Sequence, residues 1–349
     1  MAFRGQSNQG NEGIYLLRRN DLEIVADRHT PVPGGQPSET FQAFDSFTLD
    51  DCDVVFVGHG SANTEGIYRK TEAGSLEVLV THPSAAPENV LYKFGNPWTH
   101  NGWVVFHARE QGCEKGTYLF ADGEIELIAD QCGTPVPGGP PGATFTDLDG
   151  QPILEAGEVT FWGETHLRGQ GPDLVGIYLA DADGIRVVAD TTTSVPEGSP
   201  GATFRDFYDY APISNGEVVF VGVGSGDSIG IYRDSGGQIE LLLDFVSSEL
   251  PGWKPGELID FGIDFELAPA PWYSRGLSTF GATGTLGSQG VFIQDESGIH
   301  SLLQVGDSLS GGEVTDLPEF VHLDGRKRRI ALDVEVDGEQ ALYLARWER

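Results

Sequence analysis

The chain has 349 residues, room for one large domain or two ordinary ones, and its 53 Asp and Glu against 21 Lys and Arg leave a formal charge of −32. So acidic a chain does not track a phosphate backbone by bulk charge, which sets nucleic-acid binding aside. No apolar run approaches the roughly 18 residues of a membrane span, and Val, Ile, Leu, Phe and Tyr recur too regularly for a disordered chain.

In chain order the elements are short, β-branched or aromatic, and they repeat. Residues 2–5, 13–15 and 22–26 read as three strands, and 40–44 as a fourth that opens the next unit. The order returns as 54–58, 66–68, 76–80 and then 91–94; as 104–108, 116–118, 125–129 and then 145–148; and as 159–163, 176–178, 185–189 and then 204–207. It returns again as 218–222, 230–232, 239–243 and then 258–261; as 278–282, 290–292, 299–303 and then 317–320; and finally as 330–334 and 341–343. Gly-Ile-Tyr opens the middle segment at Gly13, Gly66, Gly176 and Gly230, with variants at 116, 290 and 341, so the period is 50 to 60 residues.

Alternation bounded by Gly, Asp and Ser is the signal of strands, and no 3.6-residue period is sustained. Ala121-Asp122-Gly123, Asp183-Gly184, Asp234-Ser235-Gly236-Gly237 and Glu296-Ser297-Gly298 tolerate the positive φ of tight hairpins, so the strands they join are antiparallel neighbours. Four strands at this period are the signature of a β-propeller. The expectation is an all-β chain, one propeller domain over 1–349 with mostly four-stranded antiparallel blades. Seven glycine-aromatic hairpins favour seven blades. Because the first unit lacks a leading strand and the last a trailing one, six blades with a composite closing blade is the alternative.

Three cysteines, Cys52, Cys113 and Cys132, permit one bridge and no disulfide framework. The first residues hold no basic region followed by an apolar stretch, so no signal peptide is expected.

The units resemble repeat proteins of unassigned function from bacterial genomes, often secreted or surface-anchored. The resemblance rests on GIYL, VAD and TPVPGG, here residues 13–16, 25–27 and 30–35; 116–119, 129–130 and 134–139; and 176–179, 188–190 and 194–198. It implies a propeller-like fold and an extracellular or cell-surface location, and it implies no reaction.

Chemistry is sought in two places. The first is the leading strand, whose penultimate residue is Ala43, Lys93, Asp147, Asp206, Asp260 and Glu319 in successive units. Were this strand innermost in each blade, the carboxylates of Asp147, Asp206, Asp260 and Glu319 would meet around an axis and offer oxygen ligands to Ca²⁺. The competing reading has them facing solvent or bonding backbone. The second is the set of departures from the repeat. Residues 164–174 bring His166 and Arg168; 251–256 and 269–275 bring Trp253, Trp272 and Tyr273; and 97–100 bring Trp98 and His100. Aromatic rings on proline-flanked loops suit a sugar or a protein partner, while the plainer reading has them capping the core.

The VAD aspartates Asp27, Asp130 and Asp190 occupy one repeat position, where an Asp bonds backbone N–H groups two or three residues on. Residues 226–230 match GxSxG but precede a strand, not the helix a nucleophile elbow needs. Residues 181–184 are a hairpin turn rather than a calcium loop, and His59 and His107, at the ends of equivalent strands, point to one face and stand exposed. The function expected is therefore a non-enzymatic, monomeric binding propeller for a glycan, a cation or a protein. The alternative is a glycan-active hydrolase or lyase using Asp147, Asp206, Asp260, His100, His166 and Arg168.

Overall fold

The computed structural model describes residues 2–6, 10–18, 21–50, 53–82, 84–85, 90–166, 173–226, 228–259, 272–274, 276–317, 321–324 and 329–346. These residues contain no helix, and so none long and apolar enough to cross a membrane. They form seven antiparallel sheets in chain order, mostly of four strands, and the fold is a seven-bladed β-propeller. Two compact units divide the chain. One comprises Met1–Leu174 with Tyr178–Val187 and holds the first three sheets and most of the fourth. The other comprises Val175–Ile177 with Val188–Arg349 and holds the last three.

The composite blade of the six-bladed alternative is not found among the described residues. Ala2–Gln6, Glu12–Arg18 and Asp21–Asp27 pair with one another, and the last sheet takes its strands from Ser308–Leu309 through Glu339–Arg346.

One irregularity recurs in five of the sheets. Gly13 faces Asp27 and Ile14 faces Ala26, but Tyr15 faces Ile24, leaving one residue of the outer strand over. The same β-bulge falls between Ile67 and Tyr68, Thr117 and Tyr118, Ile231 and Tyr232, and Val291 and Phe292. It presses a carbonyl onto the repeat glycine: a Cβ at Gly66 would stand 2.5 Å from the Val80 oxygen, and one at Gly230 2.6 Å from that of Leu243. The bulge thus requires the glycine of Gly-Ile-Tyr.

The tyrosine of that motif stacks on a phenylalanine of the preceding strand. Ring centroids are 5.7 Å apart for Phe56–Tyr68, 5.8 Å for Phe106–Tyr118, 5.6 Å for Phe161–Tyr178 and 5.7 Å for Phe220–Tyr232. The leading strand adds a third ring edge-on. Phe41 meets Tyr68, Phe145 meets Tyr178 and Phe204 meets Tyr232, each at 4.9 Å and 88 to 90°, a favoured geometry for aromatic quadrupoles.

The leading strands depart most from expectation. They run long and bulged as Phe41–Asp50 and Val90–His100, whereas in later sheets each is broken. Phe204–Phe207 and Ile213–Ser214 both pair with Glu217–Gly224, and Gly312–Asp316 and Val321–Asp324 both pair with Arg329–Val336. In the sixth sheet the second piece is Trp272–Ser274, so Trp272 and Tyr273 lie in a strand and not in a loop.

The loops that leave the outer strands are pinned by the repeat aspartates, as their shared position implies. The carboxylate of Asp27 accepts from the His29 N–H at 3.0 Å and the Thr30 hydroxyl at 2.8 Å. That of Asp130 accepts from the N–H groups of Cys132, Gly133 and Thr134 at 3.2, 2.8 and 2.8 Å. That of Asp190 accepts from the Thr192 N–H at 2.9 Å and from the Thr192 and Thr193 hydroxyls at 2.7 and 3.0 Å. Cys113 and Cys132 form a disulfide, Cα atoms 5.8 Å apart, that ties the Asp130 loop to its own sheet. Cys52 lies outside the described residues.

Two outcomes follow from this packing. Gly222→Ala would place a Cβ 2.6 Å from the Phe204 ring and should lower stability by about 1–3 kcal/mol, read as an earlier urea midpoint at unchanged slope; adding Phe204→Leu should recover part of the loss. Burial works to raise the pKa of Asp130, but the hydrogen bonds from Gly133, Thr134 and Cys132 together outweigh it and hold the group below its ordinary 3.8. A lowered carboxylate stabilises the fold above its unfolded pKa and loses that contribution as pH falls through the folded one. Asp130→Asn should therefore flatten the fall in stability below pH 3.8, measured by urea titration across that range.

Candidate functional site

The leading-strand acids do not share one register. Phe41 pairs with Gly60, Phe204 with Gly224 and Val314 with Val336, and Ala43, Asp206 and Asp316 stand two residues on. The seventh sheet therefore presents Asp316, not Glu319, at this position. In the sixth, Ile259 bridges Gly284. Asp260 and Glu319 themselves lie outside the described residues. Asp147, Asp206 and Asp316 each accept the N–H of the next residue, at 2.8, 2.9 and 2.9 Å. Asp147 belongs to the first unit and Asp206 to the second. Lys93 is the exposed, bulged residue of its strand, with φ of 51°.

The aromatic candidates face inward. Trp98, half-buried in the strand Val90–His100, packs on the core of Phe145, Phe161 and Tyr178. Trp253 packs on the core of the sixth sheet with its ring 5.7 Å from Phe292. Tyr273 is buried and its hydroxyl donates to Glu217. For Trp272 the strand position stands, paired with Thr279.

Titratable groups converge at the hairpin loop of the fourth sheet, between Glu158–Thr165 and Leu174–Asp181. His166 Nδ1 lies 3.0 Å from Asp173 Oδ2 and 3.5 Å from Glu164 Oε1. The Glu164 N–H donates to the Asp147 carbonyl at 3.0 Å, and the Asp147 N–H donates back at 3.2 Å, which seats Asp147 beside the group. The Asp147 carboxylate accepts from Gln131 Nε2 at 3.1 Å and lies 3.8 Å from Lys115 Nζ, which is held by Asp149 at 2.9 Å. The hydrogen bond to Asp173, then the charge of Glu164 and, more weakly, that of Asp147 raise the pKa of His166 above its ordinary value.

Two of the sequence candidates, Asp147 and His166, thus come together. Arg168 lies outside the described residues, and His100 ends its strand in the third sheet, paired with Trp103. Glu164 and Asp173 were not singled out from the sequence, although both flank or lie within the insertion that breaks the repeat. Ligand atoms of Glu164, His166 and Asp173 fall within 4.8 Å of one another, one imidazole and two carboxylates that could hold a divalent cation. Glu110, Cys113 and Asp130 also cluster, but Cys113 is in the disulfide and Asp130 is satisfied by its own loop.

The two histidines read as equivalent are not. Gly58 faces Gly66 and Ala108 faces Gly116, so His59 is one residue past that point and His107 one before, two positions apart on the same face. His59 Nε2 pairs with Asp45 at 2.7 Å. His107 is buried against the Thr117 hydroxyl at 3.2 Å, and burial, helped by the Lys115 charge, presses its pKa down to about 4. Residues 229 and 230 open the strand Ile229–Ser235, and the Asp181 carboxylate accepts the Asp183 N–H at 2.7 Å, as a turn requires.

In solution, His166 should titrate above 6.5 by NMR. Asp173→Asn should bring it down, because the hydrogen bond and charge that favour the imidazolium are then lost.

A family model described as "Family of unknown function (DUF7453)" matches residues 1–317. No curated protein matches the chain. Among solved structures, the β-propeller domain of the Trilobed protease from Pyrococcus furiosus aligns with a TM-score of 0.50 at 12% identity, over 88% of this chain and 81% of that one. At this identity the likeness shows the fold alone. The Pyrococcus horikoshii acylaminoacyl peptidase aligns at 0.47 and 11% identity over 95% of this chain and 50% of that one. A Mycobacterium tuberculosis puromycin-hydrolyzing peptidase aligns at 0.46 and 14% over 86% and 44%. The chain spans about half the length of these two peptidases.

Proposed function

The chain belongs to the DUF7453 family of unknown function, and we propose that it is a non-enzymatic binding propeller whose ligand is a divalent cation held at Glu164, His166 and Asp173. The observation that carries this reading is the convergence of one imidazole and two carboxylates on an exposed loop where the repeat is interrupted. An imidazole nitrogen among carboxylates favours a borderline ion such as Zn²⁺ or Mn²⁺ over the Ca²⁺ expected of an all-oxygen ring. The net charge of −32 raises the local concentration of any cation. A sugar platform draws less support, because Trp98, Trp253 and Tyr273 turn their faces to the core. The Cys113–Cys132 disulfide supports an oxidising, extracytoplasmic compartment.

Isothermal titration near neutral pH tests the reading. Zn²⁺ or Mn²⁺ should bind saturably at one site, and Glu164→Gln or Asp173→Asn should weaken it by on the order of tenfold or more. Asp206→Asn should change nothing. Absence of saturable binding, or equal binding by all three variants, would remove the proposal.

A further inference from the structure

Asp147 is not one of the three groups assigned to the cation, yet the backbone delivers it to them. Asp147 and Glu164 stand directly opposite in an antiparallel bridge and exchange both backbone hydrogen bonds, at 3.2 and 3.0 Å. Residues paired in this way turn their side chains to one face, with Cβ atoms about 5 Å apart. His166 follows Glu164 by two residues and so returns to that face. Its N–H is held by the Thr146 hydroxyl at 3.1 Å, and its Nδ1 stands 3.5 Å from Glu164 Oε1.

Like charges directly opposite on a strand pair are unfavourable. At the same register Ala43 faces His59 in the second sheet and Asp206 faces Val223 in the fifth. Asp316 faces Glu335 in the seventh, but there the Glu335 carboxylate accepts the Thr315 hydroxyl at 2.8 Å. In the fourth sheet the protein's donors gather on one oxygen. Asp147 Oδ1 takes the Leu148 N–H at 2.8 Å and Gln131 Nε2 at 3.1 Å, and it lies 3.8 Å from Lys115 Nζ. Among the described residues Asp147 Oδ2 has no donor, and the Glu164 carboxylate has none but the His166 imidazole. The groups on Oδ1 are themselves anchored. Lys115 comes two residues after Cys113 and Gln131 one before Cys132, beside the disulfide.

We propose that Asp147 Oδ2 is a fourth ligand of the cation, and that Lys115 sets the affinity of the site as a competing positive charge. This assignment rests on the cation reading of Glu164, His166 and Asp173. The donor set becomes one imidazole and three carboxylates, and the ion offsets the repulsion between Asp147 and Glu164. Asp149 holds Lys115 Nζ at 2.9 Å, so its charge stays close to Asp147 and opposes the ion.

Isothermal titration of Zn²⁺ into the full chain and two variants tests the assignment. Asp147→Asn should weaken binding by on the order of tenfold or more. Lys115→Gln should tighten it a few-fold, more at low salt than at high; a residue that merely braced the loop would not tighten binding when replaced. With Co²⁺ in place of Zn²⁺, the visible absorption bands should shift in Asp147→Asn and stay in Lys115→Gln, because only the first changes the ion's ligands. Saturable binding with affinity and bands unchanged by Asp147→Asn would overturn the fourth ligand and leave the three-group site standing. Unchanged or weaker binding by Lys115→Gln would overturn the competition, and this variant decides the matter should Asp147→Asn not fold. Absence of saturable binding by the unsubstituted chain would overturn this assignment together with the reading it rests on.

Discussion

Every complete sheet depends on one filled volume, where the leading strand crosses the strand beside it. In three sheets a phenylalanine ring rests on a glycine: Phe41 on Gly58, Phe145 on Gly163, Phe204 on Gly222. Where the glycine is replaced, the ring shrinks in step. Leu91, Ile259 and Val314 pair with Glu110, Gly284 and Val336, two residues past Ala108, Ala282 and Val334, as Phe41 pairs with Gly60 two residues past Gly58. Close-packed interiors tolerate such exchanges when total volume is kept and resist them when it is not. The aromatic stack, the bulge behind it and the tyrosine of Gly-Ile-Tyr are all positioned by that contact.

The same economy governs the acids. Asp27, Asp130 and Asp190 satisfy loop N–H groups as each outer strand ends. Glu39 and Glu257 do a related task. The Glu39 carboxylate accepts from the N–H groups of Gln36 and Ala62 at 2.8 and 3.1 Å, and Glu257 from those of Leu286 and Ser288 at 3.1 and 3.0 Å. Each thereby anchors the hairpin turn of its own sheet. Ala143 and Ala202 stand at the corresponding position two residues before the leading ring, so the fourth and fifth sheets manage without that anchor. A high acidic content therefore marks scaffold as much as ligand, and a carboxylate is informative only where its lone pairs are not already taken by its own backbone.

The architecture was legible because its signals are local. The glycine of each bulge and the Asp-Gly pairs of each hairpin are demanded by backbone geometry, so they recur in the letters. The leading strands carry no such glycine, and their phase was misjudged: Asp316, not Glu319, lies level with Asp206, and Trp272–Ser274 is half of a broken strand. Trp98, Trp253 and Tyr273 drew attention because they sit where the pattern changes. They are there to fill core that the regular residues do not reach. His107 looked like His59, but it stands two positions earlier in its strand, on the same face, and there it is buried. At the candidate site, Asp147 and His166 were visible, but Asp173 meets His166 across seven residues of sequence, a contact that no local spacing announces.

What is free to bind is set by what the repeat leaves uncommitted. Positions shared by all sheets are fixed by volume or by hydrogen bonding, and a ligand there would have to displace a buried group. Two departures escape this. At Glu164, His166 and Asp173, beside the insertion, the carboxylates and the imidazole answer to one another. The first sheet keeps the Phe3–Tyr15 stack, half-buried where its counterparts are enclosed. The former departure offers the donor groups on which the proposed cation site rests.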